Sequence, residues 1–371
     1  MITYPARYGD FSYHYYDDAG RLVASVAPKG VVLGNTNSPD FTTTYHYNAA
    51  GELLRTVDPD QGTSEFAYRK DGTLRFSQDA QQKQDRKFSY SNYDRAGRTL
   101  ESGVYQMPAT LDNTQAFEAQ LNAVFGSAAA KASILEDKTR SGGLTQANCS
   151  EQTSTWYDLP FDGSYDPTVS NPELGSRKQR FVLGTVSRTS NAHTTTWYSY
   201  DELGRVEWLV QHISGLTASG TAKTIDYSYD LLGNVLSVDY QRASTSECFV
   251  HHYTYDADQR LTGVQTSRDG LTKVNQAKYY YYTHGPLKRV ELADGLQGTD
   301  YVYTVQGWLK ALNHADKTKD PGKDGVAKTT NAAFAPDAFG MTMSTSAATT
   351  PVAGRASPVW LRATLLTTTE S

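Results

Sequence analysis

Short stretches in which aromatic and polar residues alternate recur along the chain, each followed by a polar turn and then by a second alternating stretch. The pattern is clearest in Tyr198-Ser-Tyr200-Asp201-Glu-Leu-Gly204-Arg205-Val206, Tyr227-Ser-Tyr229-Asp230-Leu-Leu-Gly233-Asn234-Val235 and Tyr253-Thr-Tyr255-Asp256-Ala-Asp-Gln259-Arg260-Leu261. Alternation at period two places both rings of each copy on one face of a strand. The aspartate after the second ring can accept a hydrogen bond from the backbone two residues on, and the glycine that follows can take a positive φ. Each copy therefore predicts a β-hairpin.

Weaker copies lie upstream, with turns at Asp17 and Gly20, at Gly51 behind Tyr45 and Tyr47, at Gly72, and at Asp94 and Gly97. Two lie downstream, with Gly285 behind Tyr280 and Tyr282, read as one residue shorter, and Gly307 behind Tyr301 and Tyr303. That makes nine copies, with a gap of 107 residues between Gly97 and Gly204. Inside the gap, Phe117, Leu121, Val124 and Phe125 fall at helical spacing and predict a helix within about 112–137. The stretch 141–172 reads as loop, and strand character returns at Arg180-Phe181-Val182-Leu183.

The organisation expected is hairpins over 1–105, an insertion with a helical segment and loop over 106–196, hairpins over 197–312, and a linker and low-complexity tail over 313–371. All 26 tyrosines lie at or before Tyr303, so the tail differs in composition from the rest and is expected to be disordered. The fold class expected is all-β: repeated hairpins in an open, curved array, with one short helical insertion.

Composition agrees. At 38% hydrophobic with 12% aromatic residues, the chain suits half-wet sheets better than a leucine-rich helical core. A net charge of −5 with 20% charged residues describes neither a basic nucleic-acid binder nor an acidic disordered tail. Two cysteines, Cys149 and Cys248, cannot make a disulfide framework and have no metal-ligand spacing.

The copies resemble the YD repeat, and the chain is similar to bacterial RHS-repeat proteins of the polymorphic-toxin and wall-associated type, with teneurins and Tc-toxin shell subunits as more distant relatives. The resemblance covers about 10–310 and is strongest over 197–309; Asp337-Ala-Phe339-Gly340 resembles the start of the family's next block. In the family such hairpins wind into a hollow shell around a C-terminal toxin, and an RHS core with paired aspartates releases that toxin. None of the core's motif is matched here, so the resemblance implies a length of shell wall or stalk without self-cleavage or toxin activity. It implies a secreted or cell-surface location, although no signal peptide is recognisable, and it implies flanking repeats and an effector elsewhere in a parent chain. The family block breaks off after Gly340, so the chain is expected to be a fragment whose tail follows a frameshift or premature stop.

The polar residues have repeat-bound explanations. Asp17, Asp94, Asp201, Asp230 and Asp256 occupy the same step of the same turn, which suits capping rather than metal binding. Tyr45, Tyr47, Tyr198, Tyr200, Tyr227, Tyr229, Tyr253, Tyr255, Tyr280, Tyr282, Tyr301 and Tyr303 are expected to pack hairpin on hairpin; the alternative is a carbohydrate- or partner-binding face. His251 and His252 point to opposite faces of a strand, and the segment from Asp320 to Gly325 reads as a cluster of turns. No G-x-S-x-G or H-E-x-x-H motif occurs. The expectation is a non-enzymatic chain with no catalytic residue, cofactor or metal.

Overall fold

In the computed structural model the described residues are 11–34, 36–166, 168, 171–216, 221–324, 334, 337, 339–347 and 359–365. They form two compact units, Met1–Tyr198 with Gln211–Thr221, and Ser199–Val210 with Ala222–Ser371. The chain is mainly β, and within each unit strands that are neighbours in sequence pair antiparallel.

In the first unit the strands are β1 (Tyr13–Tyr16), β2 (Leu22–Val26), β3 (Thr42–Tyr47), β4 (Leu53–Asp58), β5 (Gly62–Tyr68) and β6 (Leu74–Gln78). They continue with β7 (Lys87–Tyr93), β8 (Thr99–Gln106), β9 (Cys149–Tyr157) and β10 (Val186–Ser190), and with β11 (Thr194–Tyr200) as far as Tyr198. β12 follows at Val206–Ile213.

In the second unit run β13 (Lys223–Tyr229), β14 (Val235–Tyr240), β15 (Phe249–Tyr255), β16 (Leu261–Ser267), β17 (Val274–Tyr281), β18 (Leu287–Leu292), β19 (Gln297–Tyr303), β20 (Leu309–Leu312), β21 (Met341–Ala347) and β22 (Val359–Leu365). In eight hairpins the register shifts by one residue immediately before the last residue of the first strand, as between Tyr15 and Tyr16 or Ser228 and Tyr229. This bulge re-aims the second aromatic ring towards the preceding hairpin.

The helical segment is two helices, α3 (Phe117–Phe125) and α4 (Ala128–Leu135), preceded in the chain by the short α1 (Pro28–Val32) and α2 (Ala80–Gln84). Gly126 at φ +86 ends α3, and the Ser127 hydroxyl caps α4 by accepting from the Ala130 N–H. α3 buries Phe117 and Leu121 against Phe76, Phe88 and Tyr105 from the sheet and against Met107 just beyond β8. Phe88 is the hub: its ring stacks on Tyr105 at 4.9 Å and meets Phe76 edge-on at 5.0 Å and Phe117 at 5.8 Å. The insertion thus covers one face of the first unit's sheet.

Three local expectations need correction. The 141–172 loop contains the nine-residue strand β9, whose alternation is hidden by small polar residues. Arg180-Phe181-Val182-Leu183 is not a strand: Phe181 has φ +50, and a turn closes from the Thr185 N–H to the Val182 carbonyl, so pairing starts only at Val186. Within the tail, β21 pairs with β20 and with β22 where the sequence predicts disorder. Met341-Thr-Met-Ser-Thr and Val359-Trp-Leu-Arg-Ala-Thr-Leu carry enough β-branched and aromatic residues to extend the ladder. The remainder of the low-complexity tract, 348–358 and 366–371, lies outside the described residues.

Candidate functional site

The repeat builds one seam many times. In the turns of Asp17, Asp94, Asp201 and Asp256, one carboxylate oxygen accepts from the backbone N–H groups two and four residues on. The other accepts from Nε of the arginine four residues on, Arg21, Arg98, Arg205 or Arg260, at 2.7–2.8 Å. At Asp230 the partner is the Asn234 amide, also at 2.8 Å. Gly20, Gly51, Gly72, Gly97, Gly204, Gly233, Gly285 and Gly307 all have positive φ, and Gln259 takes the equivalent place at φ +62. These conformations close the turn, since each glycine N–H reaches back three residues, as from Gly204 to the Asp201 carbonyl.

The arginine fixed by its turn aspartate then lies over a tyrosine of the next hairpin. Arg21 is 5.1 Å from the Tyr47 ring centre, Arg98 4.4 Å from Tyr157, Arg205 4.4 Å from Tyr229 and Arg260 4.7 Å from Tyr281. The same tyrosines donate their hydroxyls to the carbonyl just after that arginine: Tyr47 to Leu22, Tyr157 to Thr99, Tyr229 to Val206 and Tyr281 to Leu261, at 2.8–2.9 Å. Tyr93 bonds Leu74 in the same way, with Arg69, which opens the preceding turn, 5.5 Å from its ring centre, and Tyr255 bonds Val235 with Asn234 in the arginine's place. Burial pushes the Tyr157, Tyr229, Tyr255 and Tyr281 phenols above their ordinary value, so all remain donors.

Two features of this seam escape the sequence reading. The copy near Gly285 is not shortened. Tyr281, not Tyr280 or Tyr282, makes the bond to the preceding hairpin, and Tyr282 stands where the turn aspartate stands elsewhere, its N–H bonded to the Pro286 carbonyl. Tyr280 is exposed and bonds Glu291, while Tyr282 donates to the Tyr301 carbonyl. Four consecutive tyrosines hide the register, which Gly285 alone marks.

The second feature is a further copy, β9 and β10. Asp158 bonds Arg98 through both oxygens, and its N–H reaches the Thr185 carbonyl as other turns reach four residues on. A turn opened by residues 159–184 separates its strands, so the Tyr157-Asp158 pair is its only sequence trace. Of the remaining repeat rings, Tyr200 is buried, and Tyr45, Tyr198, Tyr227, Tyr253, Tyr301 and Tyr303 are half-buried.

A different chemistry gathers at the end of the second unit. Arg289 on β18 faces Asp300 on β19 across the ladder. Its guanidinium bonds Asp300, Asp324 at 2.5 Å and Glu291 at 3.1 Å, and lies 4.9 Å from the Phe334 ring centre. Asp320 joins the group, with one oxygen accepting the Asp324 N–H, and Asp337 accepts from the Gln297 amide at 3.1 Å. Asp300, Asp320, Asp324 and Asp337 are all buried.

Burial pushes the Asp300 carboxyl up to about 6, against the pull of Arg289. Burial, with the charges of Asp320 and Asp324, pushes Asp337 up to about 7. Burial also raises Asp320. Burial opposes the charge of Arg289, but its carboxylate partners hold it above its ordinary value. The segment read as a cluster of turns is therefore one wall of a buried acidic group, which the spacing within 320–325 does not disclose because Asp300 and Arg289 come from distant strands.

Residues 16–63 match the family model for the RHS repeat. No curated protein matches the chain. Among solved structures, a TcdB2-TccC3-Cdc42 structure is 14% identical with a TM-score of 0.37, over 90% of this chain and 17% of that one. The Tc holotoxin pore of Photorhabdus luminescens is 15% identical with a TM-score of 0.38 over the same shares. A porin-like protein from Bacteroides uniformis is 9% identical with a TM-score of 0.26, over 87% of this chain and 90% of that one. The chain thus spans about a sixth of the Tc-toxin chains it resembles. Residues 16–63 thus carry an RHS repeat, and the same aspartate–arginine–tyrosine seam recurs in both units.

Proposed function

We propose that the chain is a structural segment of a larger exported or cell-surface protein, a length of shell wall or stalk around or before a C-terminal effector. The observation that carries this reading is the seam itself: the repeated polar residues are engaged in holding one hairpin to the next. Asp201 is committed to Arg205, Arg205 to Tyr229, and Tyr229 to Val206. A catalytic group would be expected once, not at each turn. Ten of the twelve rings singled out from the repeat are half-buried, which leaves few flat faces for a sugar to stack on. Among the described residues no helix is long and apolar enough to cross a membrane.

The test is protease protection in the parent protein, expressed with its natural flanking sequence. A wall predicts that a C-terminal effector resists proteolysis until the repeat segment is deleted. Equal cleavage with and without the segment would contradict enclosure. A glycan array with the isolated chain tests the carbohydrate alternative, and saturable binding lost on Tyr280→Ala would favour it.

A further inference from the structure

Two buried aspartates, Asp300 and Asp324, bond the Arg289 guanidinium, and two more, Asp320 and Asp337, lie beside them. That is more negative charge than one guanidinium balances, and burying unbalanced charge is costly. Three of them, Asp300, Asp320 and Asp324, each place a carboxylate oxygen within 4.8 Å of the others. Oxygen ligands of one calcium ion, at roughly 2.4 Å each, stand no more than about 4.8 Å apart, so the three fall within the reach of a single ion.

Asp337 is not one of the three, yet it points to the same need. It is 3% exposed; one of its oxygens accepts from Gln297, its carboxyl meets that of Asp320, and its other oxygen has no N–H or hydroxyl donor among the described residues. Asp320 Oδ1 and Asp324 Oδ1 are buried and without a donor in the same way. The backbone is shaped to the group: a Cβ on Gly322 would collide with the Asp300 carboxylate and Arg289, and one on Gly298 with Arg289 and Asp324. Neither glycine has the positive φ that would otherwise explain it.

We propose that Asp300, Asp320 and Asp324 bind one divalent cation of the oxygen-seeking class, Ca2+ in the first instance, with Asp337 adding charge beside it and Arg289 positioning Asp300 and Asp324. Carboxylates alone suit Ca2+ better than a thiol- or imidazole-seeking metal, and Mg2+, which sheds its waters reluctantly, is less suited to a site built from protein oxygens. The ion ties the 320–324 loop to β18 and β19. Exposed Pro321 and Lys323 place that loop at the surface, where an ion can enter. This inference is independent of the proposed wall role.

The test uses the full chain, stripped with EDTA and dialysed, then titrated calorimetrically with CaCl2 and, separately, MgCl2, and melted with and without CaCl2. The expected result is one Ca2+ per chain, a melting temperature that rises with CaCl2, and Mg2+ binding at least about tenfold weaker. Asp324→Asn should weaken Ca2+ binding by tenfold or more with an unchanged circular dichroism spectrum, whereas Asp258→Asn, on an exposed turn, should bind as the wild type does. Should Asp324→Asn fail to fold, Asp337→Asn serves in its place, with a smaller loss expected. Absence of both heat and melting shift in the wild type would overturn the proposal. So would wild-type affinity in the folded acidic-cluster variants.

Discussion

The Tyr229 hydroxyl donates to the Val206 carbonyl at 2.8 Å, joining the end of one hairpin's first strand to the start of the preceding hairpin's return strand. The bulge between Ser228 and Tyr229 turns the ring into that position. Tyr229→Phe keeps the ring and loses only the bond, so unfolding by urea should show a loss of about 0.5–1.5 kcal/mol.

Gly204 has φ +78 and open space where a Cβ would stand, so a side chain there meets strain without a clash. Gly204→Val should cost on the order of 1–2 kcal/mol, and Gly204→Asn clearly less. Gln259 holds the equivalent turn position at φ +62, and Gln259→Gly should be neutral or stabilising by up to about 1 kcal/mol. Chemical denaturation of the three variants checks the contrast.

Phe88→Ala opens the centre of the aromatic cluster under α3 and should cost about 3–5 kcal/mol. Leu121→Ala, from the helix side, should cost about 2–5 kcal/mol. If the inserted helix is a dispensable decoration, deleting 112–137 should leave thermal stability unchanged. The packing predicts instead a large loss and binding of a hydrophobic dye, because Phe76, Phe88 and Tyr105 would be uncovered.

The side-chain hydrogen bond from Arg260, with the Arg260 backbone N–H, holds the Asp256 carboxyl below its ordinary value. A group lowered on folding contributes stability above its unfolded value, about 3.9, and loses it as pH falls through the folded value. The stability difference between wild type and Asp256→Asn should therefore be constant above about pH 5 and shrink below about pH 4. Urea melts across pH 3–7 measure it, and a difference that grew on acidification would contradict the assigned bond.

The hairpins were legible because their signal is local: a period-two pair of rings, an aspartate and a glycine within nine residues suffice for strand, turn and return. Tyr157-Asp158 carries half of that signal, and its turn, opened by 26 residues, lies beyond any local pattern. In the tyrosine run at 279–282 the rings alone fit every register; Gly285 marks the turn, and the bulge before Tyr281 fits the strand to it. The acidic group was illegible for another reason. Asp300 reads as an ordinary strand residue until pairing sets it opposite Arg289, and Asp324 as an ordinary turn residue until its loop folds onto that pair.

The central claim is that each arginine, fixed by its turn aspartate, couples to the tyrosine of the next hairpin. A double-mutant cycle of Arg205→Ala and Tyr229→Leu measures that coupling directly, with Arg205→Ala and Tyr255→Leu as the control pair. The predicted coupling is about 0.5–2 kcal/mol for the first pair, with additivity within about 0.5 kcal/mol for the second. Additive effects in both pairs would contradict the seam as the interaction that joins the repeats.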